Sequence, residues 1–345
     1  MVPAMAVADE LRASGAEVSF LGTRERIEAE LVPAAGYEID FVKVRGIDRR
    51  NPLKAARAGF EALAAVAAAR KVLRRRGADV VLGGGGFVAG PAGLAATLTR
   101  TPLVLTEADS HMGLANRLLA GRARRVCLAF PIAGREGDPY LVTGRPVPKA
   151  VLEGDREKAR ARLGIAADAR CLLVVGGSQG ARSINVAAVE AFAERDGRQF
   201  HVLHIAGQRD FTEIEGRLAA SPHPENYTLL AYEPNLGDAL AACDLVLGRS
   251  GGSIFEVTAA GRPAILVPYP FATADHQSAN AEWMRSGGAA RVIADAELTA
   301  ERLATEVGAI LGDPSRLEEM AAAARSLARP DAARRIAGEV LEAAG

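Results

Sequence analysis

Cysteine is scarce in this sequence, and neither sign of charge is in excess. The three cysteines, Cys127, Cys171 and Cys243, lie in or beside apolar runs and form no CxxC or Cys/His cluster, which argues against a zinc site and a disulfide framework. Lysine and arginine together number 42, as do aspartate and glutamate. Because no bulk positive charge is available, we expect no nucleic-acid partner.

Long apolar runs are also lacking. No run reaches the roughly 20 residues that a membrane-spanning helix needs. The first residues have no basic segment followed by an apolar core, so no signal peptide is predicted. We therefore expect a cytoplasmic protein, soluble or at most peripheral to the membrane.

The sequence does contain a repeated pattern of short apolar runs, each followed by glycines or a turn and then by a helix-forming segment. With 345 residues, 49% of them hydrophobic, the chain is long enough for two packed domains. The pattern predicts two α/β domains with parallel sheets, joined by a linker at residues 143–148. Their ligands should bind beyond the carboxyl ends of the strands, in a cleft between the domains. The predicted strands are 17–21, 37–44, 79–82, 102–107, 126–130, 140–143, 171–175, 200–206, 227–232, 245–247 and 264–267.

One loop has the features of a nucleotide-diphosphate site. Residues 249–256 read Arg-Ser-Gly-Gly-Ser-Ile-Phe-Glu and follow the predicted strand 245–247. The two glycines and the helix start would present backbone N–H groups to a phosphate, and Glu256 in the first turn could accept hydrogen bonds from sugar hydroxyls. Ser253 and Glu256 also form a capping-box pattern, in which both side chains serve only the helix start. Both interpretations stay open at this point.

Two further glycine loops follow predicted strands. Residues 83–91 read Gly-Gly-Gly-Gly-Phe-Val-Ala-Gly-Pro, and residues 176–182 read Gly-Gly-Ser-Gln-Gly-Ala-Arg. Each predicts a phosphate-associated loop that opens a helix, in the first case near Pro91. The first loop also fits a loose dinucleotide fingerprint, with Glu107 as the ribose-binding acid. A nicotinamide enzyme is thus a distant alternative.

A basic and apolar segment covers residues 45–76. Arginines and lysines, namely Arg49, Arg50, Lys54 and Arg57, precede a stripe of Phe60, Leu63 and Val66 at helical spacing. This pattern is typical of a helix lying at a membrane surface. It is equally typical of an amphipathic helix that faces a protein core.

Four motifs stand in order along the chain: residues 83–93, 176–182, 249–256 and 275–281, the last reading Asp-His-Gln-Ser-Ala-Asn-Ala. Together they resemble the MurG family, the bacterial cell-wall N-acetylglucosaminyltransferases of the family 28 type, over essentially the whole chain. The resemblance implies the GT-B fold, in which two Rossmann-like parallel-sheet domains face each other across a cleft. The implied parts are an acceptor domain at the membrane side, a UDP-sugar domain and a closing helix that packs back on the first domain, with bounds 1–147, 148–329 and 330–345.

The implied reaction is inverting transfer of N-acetylglucosamine from UDP-N-acetylglucosamine to the C4 hydroxyl of the N-acetylmuramic acid in lipid I. The product, lipid II, serves peptidoglycan synthesis. Lipid I carries a pentapeptide and undecaprenyl pyrophosphate, so the implied partners are UDP-N-acetylglucosamine, lipid I and an anionic membrane surface at the cytoplasmic face. No metal or other cofactor is implied, because helix N-termini and backbone N–H groups can stabilise a leaving UDP.

The resemblance also assigns site residues. Ser178 and Gln179 are placed at the UDP diphosphate, Glu256 at the ribose hydroxyls and Gln277 at the donor sugar. The other donor-side assignments are Tyr232 and Glu233 at the uracil edge, Arg249, Ser253 and the backbone of Gly251 and Gly252. The acceptor-side assignments are Gly84, Gly85, Gly86, Glu107 and Asp109.

Three departures from the family pattern affect the first domain. A helix predicted over residues 3–12 has no strand before it, and only the Val-Pro-Ala tail of the family's first glycine run, residues 2–4, is present. We therefore expect the first strand, its loop and the family histidine to be absent. Asp109 replaces the asparagine of a Glu-Gln-Asn triplet and is the candidate general base. Arg145 stands near the displaced family arginine and is the candidate phosphate contact.

Two alternatives remain beside this assignment. One is another UDP-sugar enzyme of the same fold, either a different glycosyltransferase or a UDP-N-acetylglucosamine epimerase, which would need acid and base groups around the donor sugar. The other is a protein that binds the donor without catalysis, because the first glycine loop is lost.

Overall fold

The computed structural model describes residues 1–44, 52–176, 181–195, 199–272 and 275–345, and within 52–62 it describes only the side chain of residue 61. Contacts between residues divide the chain into two units. Unit 1 is Met1–Pro146 with Asp331–Gly345, and unit 2 is Val147–Pro330. Each unit contains parallel strands covered by helices. The predicted α/β fold class is therefore confirmed.

Unit 1 opens with a helix and then alternates strands and helices. Its strands are β1 (Ser19–Gly22), β2 (Glu38–Phe41), β3 (Val81–Gly83), β4 (Leu103–Glu107), β5 (Arg125–Leu128) and β6 (Tyr140–Val142). Its helices in this part of the chain are α1 (Val2–Ala13), α2 (Glu28–Ala34), α3 (Pro52–Arg76), α4 (Gly86–Thr99) and α5 (Leu114–Leu119), with a 3-10 turn at Ala120–Arg122.

Unit 2 repeats the alternation. Its strands are β7 (Cys171–Val175), β8 (His201–Ile205), β9 (Tyr227–Leu230), β10 (Leu245–Gly248), β11 (Ala264–Leu266) and β12 (Ala290–Val292). Its helices are α6 (Lys149–Leu152), α7 (Arg156–Leu163), α8 (Arg182–Phe192), α9 (Phe211–Ala220), α10 (Leu236–Ala242), α11 (Ile254–Ala259), α12 (His276–Ser286), α13 (Ala300–Leu311) and α14 (Pro314–Leu327), with a 3-10 turn at Asp295–Glu297. The chain then returns to unit 1 as α15 (Ala332–Ala344).

In the described part of unit 1, the parallel strands form two sheets. Strand β1 pairs with β2, and β3, β4, β5 and β6 form a four-stranded sheet in that order. Helices α1 and α15 contribute the apolar side chains that cover Val104 of β4 and Cys127 of β5. Burial raises the pKa of the Cys127 thiol to about 12, so the thiol stays protonated and acts as a small core residue.

The six strands of unit 2 form one parallel sheet in the order β12-β11-β10-β7-β8-β9. The chain starts in the middle at β7, adds β8 and β9 on one side, and then crosses to add β10, β11 and β12 on the other. The boundary between β7 and β10 is therefore the switch point, beyond whose carboxyl ends ligands of open parallel sheets bind. Gly248 pairs with Val175 there, and a Cβ at Gly248 would stand 2.7 Å from the Val175 carbonyl oxygen.

Ion pairs at the opposite, amino edge of this sheet stabilise the fold. Asp244, directly before β10, is buried and accepts hydrogen bonds from Arg156 at 2.6 Å, from Arg160 at 3.1 Å and from the Cys171 N–H at 2.8 Å. The Arg160 guanidinium also donates to the carbonyl oxygen of Ala242. Charges buried with this many partners hold the starts of β7 and β10 together.

A second buried polar network of unit 2 centres on His204, in the middle of β8. Its Nε2 lies 3.0 Å from Asn185 Oδ1 and its Nδ1 lies 2.7 Å from the Tyr227 hydroxyl. Since Asn185 Oδ1 can only accept, Nε2 carries the proton and Tyr227 donates to Nδ1. Burial lowers the pKa of His204 to about 3, so the imidazole is neutral and structural at ordinary pH.

Two elements differ from the sequence-based expectation. Helix α4 begins at Gly86 rather than near Pro91, because Gly85 and Gly86 adopt positive φ angles of 79° and 75° and complete the turn early. Pro91 is therefore accommodated inside the helix. Strand β12 was not predicted, since it is a three-residue edge strand with a short, weak apolar pattern.

The described residues include neither a membrane-spanning helix nor a group of metal ligands. No helix there combines the length and the apolar character that crossing a bilayer requires. Among the same residues, no three His, Cys, Asp or Glu side chains are grouped so that they could hold a metal ion.

Candidate functional site

The glycine loop between β10 and α11 lies at the switch point of unit 2. Because Gly248 ends β10 beside the end of β7, the residues that follow, Arg249 to Ser253, leave the sheet where a ligand is expected. The backbone N–H groups of Gly251, Gly252 and Ser253 donate to no oxygen in the part of the chain that the structure describes. These groups are therefore available as donors to a ligand.

Gln277 lies directly against this loop. Ser250 Oγ donates to the Gln277 carbonyl oxygen at 2.7 Å, and Asn280 Nδ2 donates to the Ser250 carbonyl oxygen at 2.9 Å. The Gln277 side-chain Oε1 accepts from the Tyr269 N–H at 3.0 Å, so its Nε2 points the other way, toward Gly251. The structure thus brings together two motifs that are widely separated in sequence, residues 249–256 and 275–281.

The helix start after this loop bears on the capping-box alternative. Ser253 is the N-cap of α11, but its side chain accepts no capping hydrogen bond. The serine half of a capping box is therefore not formed. Glu256 lies in the first turn of α11 and is partly exposed. Its predicted role at the ribose is compatible with this position and stays a prediction.

Arg249 has internal partners. Its Nη1 donates to Asp295 Oδ1 at 2.5 Å and to the carbonyl oxygens of Val267 and Pro268 at 3.1 and 3.3 Å, and its Nη2 donates to Ser183 Oγ at 2.9 Å. The Tyr269 ring centroid lies 5.4 Å from the guanidinium. All these contacts are with the protein, whereas its assignment to the donor remains a prediction.

The two residues assigned to the uracil edge, Tyr232 and Glu233, differ in their exposure to solvent. Tyr232 is 60% exposed, and Glu233 is buried. The Glu233 carboxylate accepts from the Asn235 N–H at 2.9 Å and from Arg162 at 3.0 Å. Although burial lowers the pKa of Arg162, the bond to Glu233 and its charge raise it overall. The Glu233 side chain therefore supports the turn before α10, which leaves its backbone for the predicted uracil contact.

Ser178 and Gln179, predicted at the diphosphate, lie outside the described residues. The same is true of Arg49 and Arg50, and the side chains of Lys54 and Arg57 are likewise not described. The basic segment was predicted either to lie on a membrane or to face a core. In its described part, Val66 is buried against Ala95 of α4, as in a helix that faces a core. Leu63 is 67% exposed, as in a helix that offers an apolar side chain to a surface.

The glycine loop of unit 1 joins β3 to α4. Gly85 is the N-cap of α4 with φ 79°, a conformation that disfavours other residues, and Gly86 follows with φ 75°. A Cβ at Gly84 would meet only Thr106 Oγ1, at 4.0 Å. The loop is therefore open, as a phosphate-facing loop must be, and its acceptor role stays a prediction.

The Glu107 carboxylate is bonded within the turn that follows β4. It is buried and accepts four hydrogen bonds: from the N–H groups of Ala108 at 3.0 Å, Asp109 at 3.3 Å and Gly113 at 2.8 Å, and from Asn116 Nδ2 at 2.9 Å. The carboxylate is thus bonded within its own turn, because a buried carboxylate needs several donors, and the turn after β4 supplies them. The predicted acceptor-side role of Glu107 stays a prediction.

Asp109 is held by this turn. Its N–H donates to Glu107, while its own side chain is partly exposed and makes no hydrogen bond or ion pair with any described residue. This fits a residue kept available for another group. Arg145 is partly buried at the end of unit 1, and its contact with donor phosphates stays a prediction.

Sequence reasoning missed four residues of the unit 2 site: Tyr269, Asn280, Asp295 and Ser183. One signal was available for Asn280, which lies three residues after Gln277 and so on the same face of a helix. Tyr269 and Asp295 both follow strands at the carboxyl edge, but β12 was not predicted and Asp295 could not be placed.

Comparison with known proteins places both units. Residues 1–128 match the Glycosyltransferase family 28 N-terminal domain, and residues 171–336 match the Glycosyltransferase family 28 C-terminal domain. A relative from Methylococcus capsulatus, named UDP-N-acetylglucosamine--N-acetylmuramyl-(pentapeptide) pyrophosphoryl-undecaprenol N-acetylglucosamine transferase, is 40% identical over 99% of this chain and 95% of its own length. A relative of the same name from Nitrosococcus oceani is 41% identical over the same shares.

The chain belongs to the MurG family. The solved structure of Acinetobacter baumannii MurG is 30% identical, with a TM-score of 0.78 over 99% of this chain and 95% of that one. The resemblance read from the four motifs is thereby confirmed, as are the GT-B fold and the enzyme class of glycosyltransferase. The UDP-GlcNAc 2-epimerase from Neisseria meningitidis, solved with UDP-GlcNAc, has a TM-score of 0.69 but only 15% identity over 99% of this chain and 96% of that one. That likeness shows the fold alone and gives the epimerase alternative no support.

Proposed function

We infer that this chain transfers N-acetylglucosamine from UDP-N-acetylglucosamine to the C4 hydroxyl of N-acetylmuramic acid in lipid I, which gives lipid II for peptidoglycan synthesis. Relatives at 40% and 41% identity are named for this transfer. The structural observation that carries the proposal is the contact of Gln277 with the Arg249–Ser253 loop at the switch point. This junction combines phosphate-directed N–H groups with a sugar-directed amide.

The donor fits this junction in one direction. The diphosphate lies over the N–H groups of Gly251 and Gly252 at the start of α11, where the partial positive charge of the helix favours an anion. The ribose hydroxyls reach Glu256, and the sugar reaches Gln277 Nε2, since Oε1 is already taken by Tyr269. Uracil lies toward Tyr232 and the backbone of Glu233.

The chemistry needs two contributions from the protein. As the bond from the sugar to UDP breaks, negative charge grows on the diphosphate, and fixed N–H donors stabilise it without reorganisation. At the same time the C4 hydroxyl of the acceptor must lose a proton. We assign that step to Asp109, whose carboxylate is partly exposed, with Gly84, Gly85 and Gly86 facing the acceptor pyrophosphate.

The proposal is tested by a transfer assay on the full chain. With UDP-N-acetylglucosamine and a short-chain lipid I analogue, we expect release of UDP and incorporation of the sugar in a β linkage. Glu256→Gln should weaken UDP binding about 10- to 100-fold, since a hydrogen bond to a charged group contributes roughly 1.5–3 kcal/mol. Calorimetry with UDP and with its 2′,3′-dideoxyribose analogue gives the comparison.

The control for this test is Glu297→Gln, an exposed carboxylate of unit 2 paired with Arg302, which should bind UDP as the wild type does. An equal loss of affinity for UDP and for the dideoxy analogue would contradict the ribose role of Glu256. Conversion of the donor without any acceptor would point to an epimerase, and donor binding without turnover would point to the non-catalytic alternative.

We also propose that unit 1 docks on an anionic membrane from the cytoplasmic side. Apolar side chains are exposed on α4 and α5: Leu94 is 39% exposed, Leu98 is 55% and Leu118 is 64%. A surface hollow beside Leu98 is lined by Arg74 and Arg100. Exposed leucines bordered by arginines favour a lipid surface that carries negative headgroups.

Reversing two of these charges tests the membrane contact. The double variant Arg74→Glu, Arg100→Glu should co-sediment with phosphatidylglycerol vesicles at least tenfold more weakly, because each basic residue near an anionic surface is worth about 1 kcal/mol. Wild-type binding should also fall as salt is raised. Arg285→Glu with Arg302→Glu, two exposed arginines of unit 2, is the matched control. Binding that ignores both charge reversal and salt would contradict the proposal.

A further inference from the structure

Arg249, Ser183 and Asp295, here called the Arg249 cluster, form a closed triangle of hydrogen bonds. Arg249 Nη1 donates to Asp295 Oδ1 at 2.5 Å, and its Nη2 donates to Ser183 Oγ at 2.9 Å. Ser183 Oγ in turn donates to the same Asp295 oxygen at 2.8 Å. A hydroxyl can accept and donate at once, so each of the three side chains is hydrogen-bonded to both of the others.

The cluster connects the carboxyl ends of neighbouring strands. Arg249 follows β10 and Asp295 follows β12, while Ser183 lies in the first turn of α8, the helix after β7. Arg249 also donates to the carbonyl oxygens of Val267 and Pro268, which follow β11. One guanidinium, only 14% exposed, therefore ties the ends of four adjacent strands, β12, β11, β10 and β7.

From this cluster the contacts lead to the sugar-directed amide. The Arg249 guanidinium lies over the Tyr269 ring, 5.4 Å from the ring centroid. The Tyr269 N–H donates to Gln277 Oε1 at 3.0 Å. Because only the oxygen of the amide can accept from an N–H, this bond fixes which end of the amide faces outward. The direction of Gln277 Nε2 thus depends on where Arg249 holds the segment after β11.

We propose that the Arg249 cluster positions the donor site without touching the donor. It holds the glycine loop after β10, the start of α8 and the Tyr269–Gln277 contact in one arrangement, so that the binding groups are pre-organised. The inference rests on the proposed function, since it concerns the same donor site. It changes the role of Arg249 from a ligand of the phosphates to a positioning residue.

The test measures donor binding and turnover in four variants of the full chain. Asp295→Asn, which keeps the shape, and Ser183→Ala should each raise the Kd for UDP and the KM for UDP-N-acetylglucosamine about tenfold, with kcat within about threefold of the wild type. Ser183→Thr keeps the hydroxyl and should bind UDP as the wild type does. In the double variant Ser183→Ala, Asp295→Asn, the Kd should rise no further than in the weaker-binding single variant, because one removal already opens the triangle.

Glu297→Gln is the matched control, an amide for a carboxylate in the same 3-10 turn, on a side chain that pairs with Arg302 instead. Wild-type Kd and KM in both Asp295→Asn and Ser183→Ala would overturn the inference. It would also be overturned if lost binding merely followed lost folded protein, measured by circular dichroism, or if Ser183→Thr bound no better than Ser183→Ala. A wild-type chain that binds no UDP would overturn the proposed function itself.

Discussion

Replacing Asp109 with asparagine is expected to lower kcat for transfer to the lipid I analogue roughly 10²- to 10⁴-fold, the usual contribution of a general base. The change is nearly isosteric, and the Asp109 N–H keeps its bond to the Glu107 carboxylate. The Kd for UDP should not change, because the residues that we assign to the donor lie in unit 2. Steady-state kinetics give the measurement, as the kcat of the variant relative to that of the wild type.

Asp79→Asn serves as the control, since this aspartate is exposed before β3, at the end of the strand away from the glycine loop. Its kcat should equal that of the wild type. If Asp109→Asn retains kcat within about threefold, the proton is removed by a different group.

Replacing Asp244 with alanine is expected to destabilise unit 2 by about 3–5 kcal/mol, the usual cost of removing one partner from a buried ion pair. Arg160 is buried, and in the variant it would lose its carboxylate partner. The Cys171 N–H would lose its acceptor as well. Trp283 is the single tryptophan of the sequence and packs on Phe255 in unit 2. Its fluorescence during urea unfolding therefore reports on this unit.

Glu282→Gln is the matched control for Asp244→Ala. This carboxylate pairs with Arg285 on an exposed face of α12, where an ion pair contributes little. Its urea midpoint should match that of the wild type. An Asp244→Ala chain that unfolds at the wild-type midpoint would mean that water replaces the carboxylate at the arginines.

The strands could be predicted where burial is continuous. Strand β7 matches the predicted residues 171–175, because five apolar residues in a row, followed by glycine, are typical of a buried strand. Strand β12 could not be found, since three residues at a sheet edge carry no such pattern. The start of α4 was misplaced because the positive φ of Gly86 is decided by the turn as a whole and not by Pro91.

The positions of the glycine loops in the candidate site could be predicted from the sequence. The directions of its side chains could not. Glycines are common in loops, so the loop at residues 249–253 could be placed after its strand from the sequence. The direction of a carboxylate depends on donors that come from other parts of the chain. The Glu107 carboxylate therefore accepts hydrogen bonds from Gly113 and Asn116, and Arg249 donates to Asp295, a residue 46 positions later. Motif spacing carries no information about either partner.

The position of α15 has a consequence for how the protein is made. A ribosome releases the chain from its amino end, so all of unit 2 emerges before Ile336, Ala337 and Val340 can reach Val7 and Cys127. Unit 2 can fold while unit 1 still exposes one face of its core. The second unit in sequence is thus the first to be finished, and the nascent chain needs protection from aggregation longest at its beginning.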